Sequence, residues 1–452
     1  MRKRFHEQQP LTQGFIDHEH ARELEVVSAI LDQMPEVLER IAEDLVADRS
    51  RELGRSGMTA EQVLRSLVIM QMNGFSYAEL AFHLADSRTY RSFCRFGEFE
   101  KPPSRSTLQE NIKRVSAASL EPVNRRVVHL AEEAGVENGQ RIRIDTTSVE
   151  SNIHAPTDSL LLFDVNRVLT GLLKRARKFG VEFKSHSRVA KRRAVAIQNA
   201  GSREQRLLLY KDLLKIVTET LLSSRIAAGL LDSRAIAGSR EGREAKRLAD
   251  SITHFEGLGA RVVDQTRRRV LEGEKVPATE KVVSIFEPHT DILVKGNLEV
   301  EYGHKVNLAV GKSSLVTDCV IEKGNPADST LAVKMIDRQR DLYGRPPLQT
   351  AFDGGFASAQ NLREIKKRGV RDVAFAKRCG LAIDDMVRST WVYKRLKRFR
   401  AGIEGVISFL KRCFGMDRCK WRGFRSFRAY VWSAVLSANL LIFARHRLGT
   451  SP

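Results

Sequence analysis

Cysteine is scarce in this chain: five occur among 452 residues, Cys94, Cys319, Cys379, Cys413 and Cys419, and no two stand as Cys-x-x-Cys. That excludes a zinc ribbon or a disulfide framework and suits a reducing cytoplasm. No Gly-x-x-x-x-Gly-Lys-Ser/Thr loop is present, so nucleotide hydrolysis is not implied. The N-terminal stretch MRKRFHEQQPLTQGF has basic residues but no apolar core, so no secretory leader is expected. The most apolar late run, YVWSAVLSANLLIFA, is too short and too polar to span a bilayer and reads as a buried C-terminal helix. Internal repeats are missing too.

Acidic residues are in deficit: 76 Lys and Arg face 55 Asp and Glu, a formal net charge of +21. Such a surplus favours a polyanionic partner, because cations that neutralise backbone phosphates gain affinity by releasing counterions. It is clustered. Nine Lys or Arg against Glu182 alone lie between Lys174 and Arg193, and twelve against Glu404 and Asp417 lie from Val392 to Arg428. The second cluster interleaves Phe399, Phe414, Trp421, Phe424 and Phe427, rings able to stack on unpaired bases. Phe414 reads as core, while Trp421 and Phe424 stay open between core and base stacking. Arg398, Arg400, Lys411, Lys420, Trp421 and Arg422 are the DNA-contact candidates of this cluster.

Against this background three acids stand out by context: Asp145 in RIRIDTTSVE, Asp353 in LQTAFDGGFAS and Glu404 in RFRAGIEGVISFLKR. Ile142 and Ile144 alternate with Arg141 and Arg143, the period of a half-buried strand with Asp145 at its exit. Asp353 closes a second extended run and is followed by Gly354 and Gly355, which permit close backbone or ligand approach. Ile403, Val406, Ile407, Leu410 and Phe414 recur at helical spacing, with Arg400, Glu404, Ser408 and Lys411 as a polar stripe beside them. Three hard-oxygen carboxylates are what two divalent ions roughly 3.5–4 Å apart would need to stabilise both oxygens of a phosphodiester displacement. Each acid taken alone could equally be a turn, cap or surface residue. Their joint occurrence carries the weight.

Between the acids, YGHKVNLAV and SLVTDCVI read as strands, a helix begins near Asn325-Pro326, and a helix from about Ser358 to Arg368 precedes the strand DVAFA. Asp328, three residues after Asn325, reads as a capping acid. The order is three strands, helix, strand, helix, strand, helix.

With these residues in view, the chain resembles an insertion-sequence transposase of the DDE class, and more narrowly the ISNCY-type group. The resemblance runs through GMTAEQVLRSLVIMQMNGFSYAELAFHLADS, PPSRSTLQENIKR, EPHTDILVKG to GHKVNLAVG, and FGMDRCKWRGFRSFRAYVWSAVLSANLLIFARH. It implies an α/β fold: a ribonuclease-H-like mixed five-stranded sheet with flanking helices, an α-helical N-terminal region, and a long mainly helical insertion after the first core strand. It further implies catalytic and metal-holding roles for Asp145, Asp353 and Glu404, and two divalent ions, magnesium with manganese as the alternative. DNA is the implied partner, as terminal inverted repeats and target, bound by a homodimer or higher oligomer without a nucleotide cofactor. Hydrolysis at the transposon ends and attack of the freed 3′-hydroxyl on target DNA would follow. Relatives carry tyrosine, two residues, arginine, three residues, glutamate, six residues, lysine; Arg400, Glu404 and Lys411 fit, but Lys397 stands at the tyrosine position.

The expected organisation is a helical DNA-binding region over residues 1–135 and a catalytic domain over 136–452, interrupted by a helical insertion over 155–289. Thr59 with Gln62 and Ser76 with Glu79 resemble capping boxes on two helices joined at Gly74, a pattern that suits a helix-turn-helix. Arg105 and Lys113 are further phosphate-contact candidates. In the insertion, Gly257 to Gly259 and Glu272 to Pro277 read as breaks. His154, His289 and His304 flank it and read as structural residues rather than ligands. The expected location is the bacterial cytoplasm, on the nucleoid when DNA is bound. A DNA-binding regulator and a structure-selective nuclease are the rival functions.

Overall fold

The computed structural model describes Arg4 and residues 16–47, 57–235, 239–295 and 299–450. The chain forms two units, one of Met1–Glu150 with His304–Pro452 and one of Ser151–Gly303.

The first unit begins with seven helices: α1 (Glu19–Asp32), α2 (Val37–Val46), α3 (Ala60–Asn73), α4 (Tyr77–Asp86), α5 (Arg88–Phe93), α6 (Arg105–Ile112) and α7 (Ala117–Glu133). Both capping boxes form, with Thr59 and Gln62 closing the start of α3, and Ser76 and Glu79 that of α4. Each satisfies backbone donors that a helix start leaves open. Every residue of α3 from Ala60 to Gln71 is buried. Even Arg65 lies inside, held by Glu61 at 2.9 Å and Asp32 at 2.7 Å. A helix so enclosed is a core element, and the more exposed α4 carries Glu79 and Asp86 with no Lys or Arg. The pair therefore keeps the expected local form without a basic recognition face.

The chain has six strands among the described residues, β1 (Arg141–Glu150), β2 (Asp291–Lys295), β3 (Glu299–Val310), β4 (Val316–Ile321), β5 (Gln349–Phe352) and β6 (Asp372–Phe375), of which β2 and the first residues of β3 belong to the second unit. The sheet runs β2-β3-β1-β5-β6, with β4 on β3. The expected fold class holds with one strand more than the five read from sequence: DILVK, passed over as a strand, pairs antiparallel with the first residues of β3. β4 pairs antiparallel with the later residues of β3, so β2 and β4 use successive stretches of one long strand. β1, β5 and β6 are parallel.

Between and after the strands lie α12 (Ala332–Tyr343), α13 (Ala359–Lys367), α14 (Ile383–Met386), α15 (Thr390–Cys413) and α16 (Phe424–Leu448). One core joins the N-terminal helices to α16, the end of α15 and parts of β1, β3 and β4. A second holds Ile142 and Ile144 against β5, β6, α12, α13 and the start of α15. The helical N-terminal region thus shares its interior with the sheet. At 25 residues, with an 18-residue window of mean hydropathy 1.4, α16 is long and apolar enough to cross a membrane, contrary to the length read from sequence. Its apolar window is 94% buried in the core, which accounts for its composition as the sequence reading expected.

The second unit is built on α8 (Asp158–Ala176), α9 (Ser187–Gln198), α10 (Arg203–Ser233) and α11 (Arg240–Thr266), with two apolar cores of its own. Gly257 to Gly259, read from sequence as a break, lies inside α11. A Cβ at Gly259 would come within 2.6 Å of Val165 and 2.8 Å of Leu221, so glycine there permits close helix packing rather than a turn.

Candidate active site

Strand periodicity sets up the site. Arg141, Arg143 and Asp145 alternate along β1, and the parallel register pairs Arg141 with Gln349 and Ile144 with Phe352. The next residues, Asp145 and Asp353, therefore lie side by side where β5 ends. Asp145 is not at a strand's exit, as the alternation suggested, because β1 continues to Glu150. What ends there is the pairing with β5; β3, on the other edge, keeps β1 extended.

Helix α15 runs alongside. Arg143 donates to Phe399 O at 3.1 Å and to Ser314 Oγ at 3.1 Å, with its guanidinium 4.9 Å from the Phe399 ring centre. A Cβ at Gly402 would fall 2.1 Å from Arg143 Nη1, so glycine at this turn lets the helix settle against the strand. That contact brings Arg400 and Glu404 over the aspartates.

Arg400 is the centre of the constellation. Its Nη2 lies 2.7 Å from Asp145 Oδ2 and 3.0 Å from Asp353 Oδ1, and its Nη1 lies 2.8 Å from Glu404 Oε1. One guanidinium thus gathers all three predicted acids. Side-chain exposure rises from 12% at Asp145 through 42% at Asp353 to 66% at Glu404, so the set opens toward solvent at the glutamate. Burial pushes the Asp145 carboxyl up to about 6, against the opposing pull of Arg400 and of the Thr146 N–H, with Asp353 adding to the rise.

Among the described residues no group of acids, histidines or cysteines forms a ready metal cage. The donor set nevertheless fits a hard divalent cation: three carboxylates converge on a single positive group whose place such a cation could take. Arg400, expected to contact DNA, is here the counter-ion of the acids.

Asp328 was missed. Its assignment as a cap fails because it opens a separate 3-10 turn, Asp328–Thr330, ahead of α12. Its Oδ1 accepts from Thr146 Oγ1 at 3.1 Å and from Lys305 Nζ at 3.1 Å, and its Oδ2 would lie 2.8 Å from a Cβ at Gly355. It braces the residue after Asp145 beside the glycine turn after Asp353. No local pattern signals this, since Thr146 is 182 positions away.

The remaining candidates divide. Arg398, Lys420, Arg422, Arg105 and Lys113 are exposed, and Lys411 is half-buried. Trp421 is buried at 7%, its ring 5.4 Å from that of Tyr430, so it is a core residue and not free to stack on a base. Phe414 is core as expected, and Phe424 is partly exposed. His154 faces Asp164, His289 faces Glu287, and His304 packs on Phe427.

Two family models match the chain. Residues 290–440 match a Transposase DDE domain, a stretch that includes Asp353 and Glu404, and residues 12–114 match a Transposase domain (DUF772). Asp145 falls outside both. Among curated proteins and solved structures, none matches the chain.

Proposed function

Because the chain belongs to the insertion-sequence transposases of the DDE class, we propose that Asp145, Asp353 and Glu404 are its catalytic carboxylates. The enzyme acts on DNA and depends on a divalent metal, as that family implies. The observation that carries the assignment is the convergence of the three acids on Arg400.

The carboxylates of Asp145, Asp353 and Glu404 would hold two ions, magnesium before manganese. Bound there, the metal supplies positive charge to the attacking and leaving oxygens of the phosphodiester. Asp145 and Asp353 on adjoining strands set the fixed side of the site, and Glu404, more exposed, can adjust to the substrate. Arg400, once its acids are otherwise balanced, is free to meet a phosphate beside the scissile one, with Lys411 a further phosphate contact. A deprotonated Asp145 is needed to hold a cation, so its raised pKa makes metal uptake harder below about pH 6.

Exposed Arg398, Lys420, Arg422, Arg105 and Lys113 are proposed to contact DNA beyond the site. We assign DNA binding to residues 1–135 and the chemistry to 136–452, with 155–289 as the insertion. Two terminal repeats held together require at least two protomers, and positioning with charge neutralisation needs no nucleotide cofactor. The location is the cytoplasm, on the nucleoid while engaged.

The test is cleavage and strand transfer on DNA carrying the terminal repeats, with magnesium and then manganese. Asp145→Asn, Asp353→Asn and Glu404→Gln should each lose on the order of 10³-fold in rate while binding DNA as wild type does. Any variant that keeps full activity removes its carboxylate from the site. Hydrolysis without joining would identify a nuclease instead.

A further inference from the structure

At the other end of the strands that carry the two aspartates is a cavity of about 280 Å³. Arg141, Lys312, Gln349, Arg371, Arg388 and Arg395 supply its polar lining, and Asp372 stands behind it, in register with Gln349 across β5 and β6. The lining therefore holds five cations and no carboxylate. Asp372 is fully buried and already occupied: it accepts from Gln349 Nε2 at 2.8 Å and from the Arg388 backbone N–H at 3.2 Å, with the Arg388 and Arg371 side chains at 3.4 and 3.8 Å. Arg141 and Arg395 pair with no acid among the described residues. Both donate to the same neutral oxygen, Gln349 Oε1, at 3.0 and 3.2 Å, and Arg395 Nε is buried without an acceptor. Burial, and then the neighbouring Arg395, lowers the Arg141 pKa. Cations so crowded are short of negative charge, and a phosphate offers the oxygens that guanidiniums engage most strongly.

We infer that this pocket binds a backbone phosphate of the DNA strand whose scissile phosphate lies at Asp145, Asp353 and Glu404. Arg141 and Asp145 are four positions apart on the strand and Arg395 and Glu404 nine positions apart on the helix; at about 3.3 Å and 1.5 Å per residue, both paths span roughly 13 Å. At about 3.4 Å per nucleotide that is a displacement of about four nucleotides. The surface between is basic, since Lys394, Lys397 and Arg398 on α15 are exposed. Beside the pocket the 66% exposed Trp391 stacks on Arg395, its ring centre 4.6 Å from the guanidinium carbon. The assignment rests on the DNA-transposing function above and adds to it a phosphate site that none of the sequence candidates includes.

The experiment compares the full-length wild type with Arg141→Gln/Arg371→Gln and Arg141→Lys/Arg371→Lys on a duplex carrying the terminal repeat. Neither residue is the sole partner of Asp372, and the lysine pair controls for loss of shape. The glutamine pair should bind about tenfold more weakly at 0.15 M salt, with the slope of log affinity against log salt reduced by one to two. The lysine pair should keep the wild-type slope. Ethylation of a phosphate about four nucleotides from the cleaved one should block wild type and not the glutamine pair. If wild type binds and the glutamine pair keeps its slope and its interference pattern, the pocket assignment is overturned while the transposase reading stands. The assignment is likewise overturned if inorganic phosphate raises the melting temperature of wild type but not of the glutamine pair while DNA binding is equal. A wild type that binds no DNA overturns both.

Discussion

Asp145 and Asp353 share Arg400 at one end of the face of β1 and β5 that meets α15, whereas Arg141 and Arg395 share Gln349 at the other. The two ends use the same strands and the same helix, yet treat charge in opposite ways. At the acid end three carboxylates are balanced from within by one guanidinium, an arrangement that an incoming cation can replace. At the base end two guanidiniums share one amide oxygen and pair with no acid among the described residues. On the proposed reading, a DNA strand with its scissile phosphate at the acid end and a further phosphate at the base end would complement this face.

The largest way to break this comparison is Gly402→Ala, because α15 supplies side chains to both ends. The new methyl would meet Arg143 Nη1 at 2.1 Å and displace a buried guanidinium from its two acceptors. The expected loss is about 3 kcal/mol by urea unfolding, with cleavage and DNA affinity falling together. Unchanged stability would mean that the helix does not depend on this contact.

The acid end can be sharpened by pH. Asp145 ionises near pH 6 in the folded chain and at an ordinary 3.8 when unfolded, so its protonated form favours the fold. That contribution is complete below about pH 4 and is lost as the pH rises through 6. In EDTA, wild type should lose on the order of 2 kcal/mol relative to Asp145→Asn across this window. Urea midpoints at pH 4 and 7 measure it, and a difference independent of pH would refute the shift.

The smallest effect is expected at Thr146→Val. It removes the hydroxyl bond to Asp328, about 1 kcal/mol, and should loosen Asp145 relative to Asp353, read as a higher magnesium requirement for cleavage. Equal magnesium titrations of variant and wild type would leave Asp328 as a partner of Lys305 alone.

The elements bearing the acids were legible because each has a local pattern: alternation before Asp145, which nevertheless ended the strand too early, a glycine turn after Asp353, and helical spacing around Glu404. The capping boxes were legible for the same reason, since their partners are three residues apart. What failed lay in long-range contacts. DILVK became a strand by pairing with β3, and Trp421 became core by meeting Tyr430. Asp328 is placed by Thr146 and Lys305, and Arg400 by an aspartate 255 positions away. A glycine pair inside α11 looked like a break because sequence does not show the side chains that press on it. Arg400 was read as a DNA contact, which stays a proposal; what sequence does not show is that Asp145 and Asp353 also hold it.

The register of β1 with β5 joins residues 208 positions apart, with all of the second unit between them. At 5–20 residues per second, a ribosome needs roughly 10–40 s to deliver β5 after β1 has emerged. During that interval the central strand has no neighbour on its β5 edge, while the helices between can already close around their own cores. The intervening segment therefore sets a clock: the aspartates cannot be brought together until it has been synthesised, so a truncated product of translation carries no assembled pair of Asp145 and Asp353 into the cell.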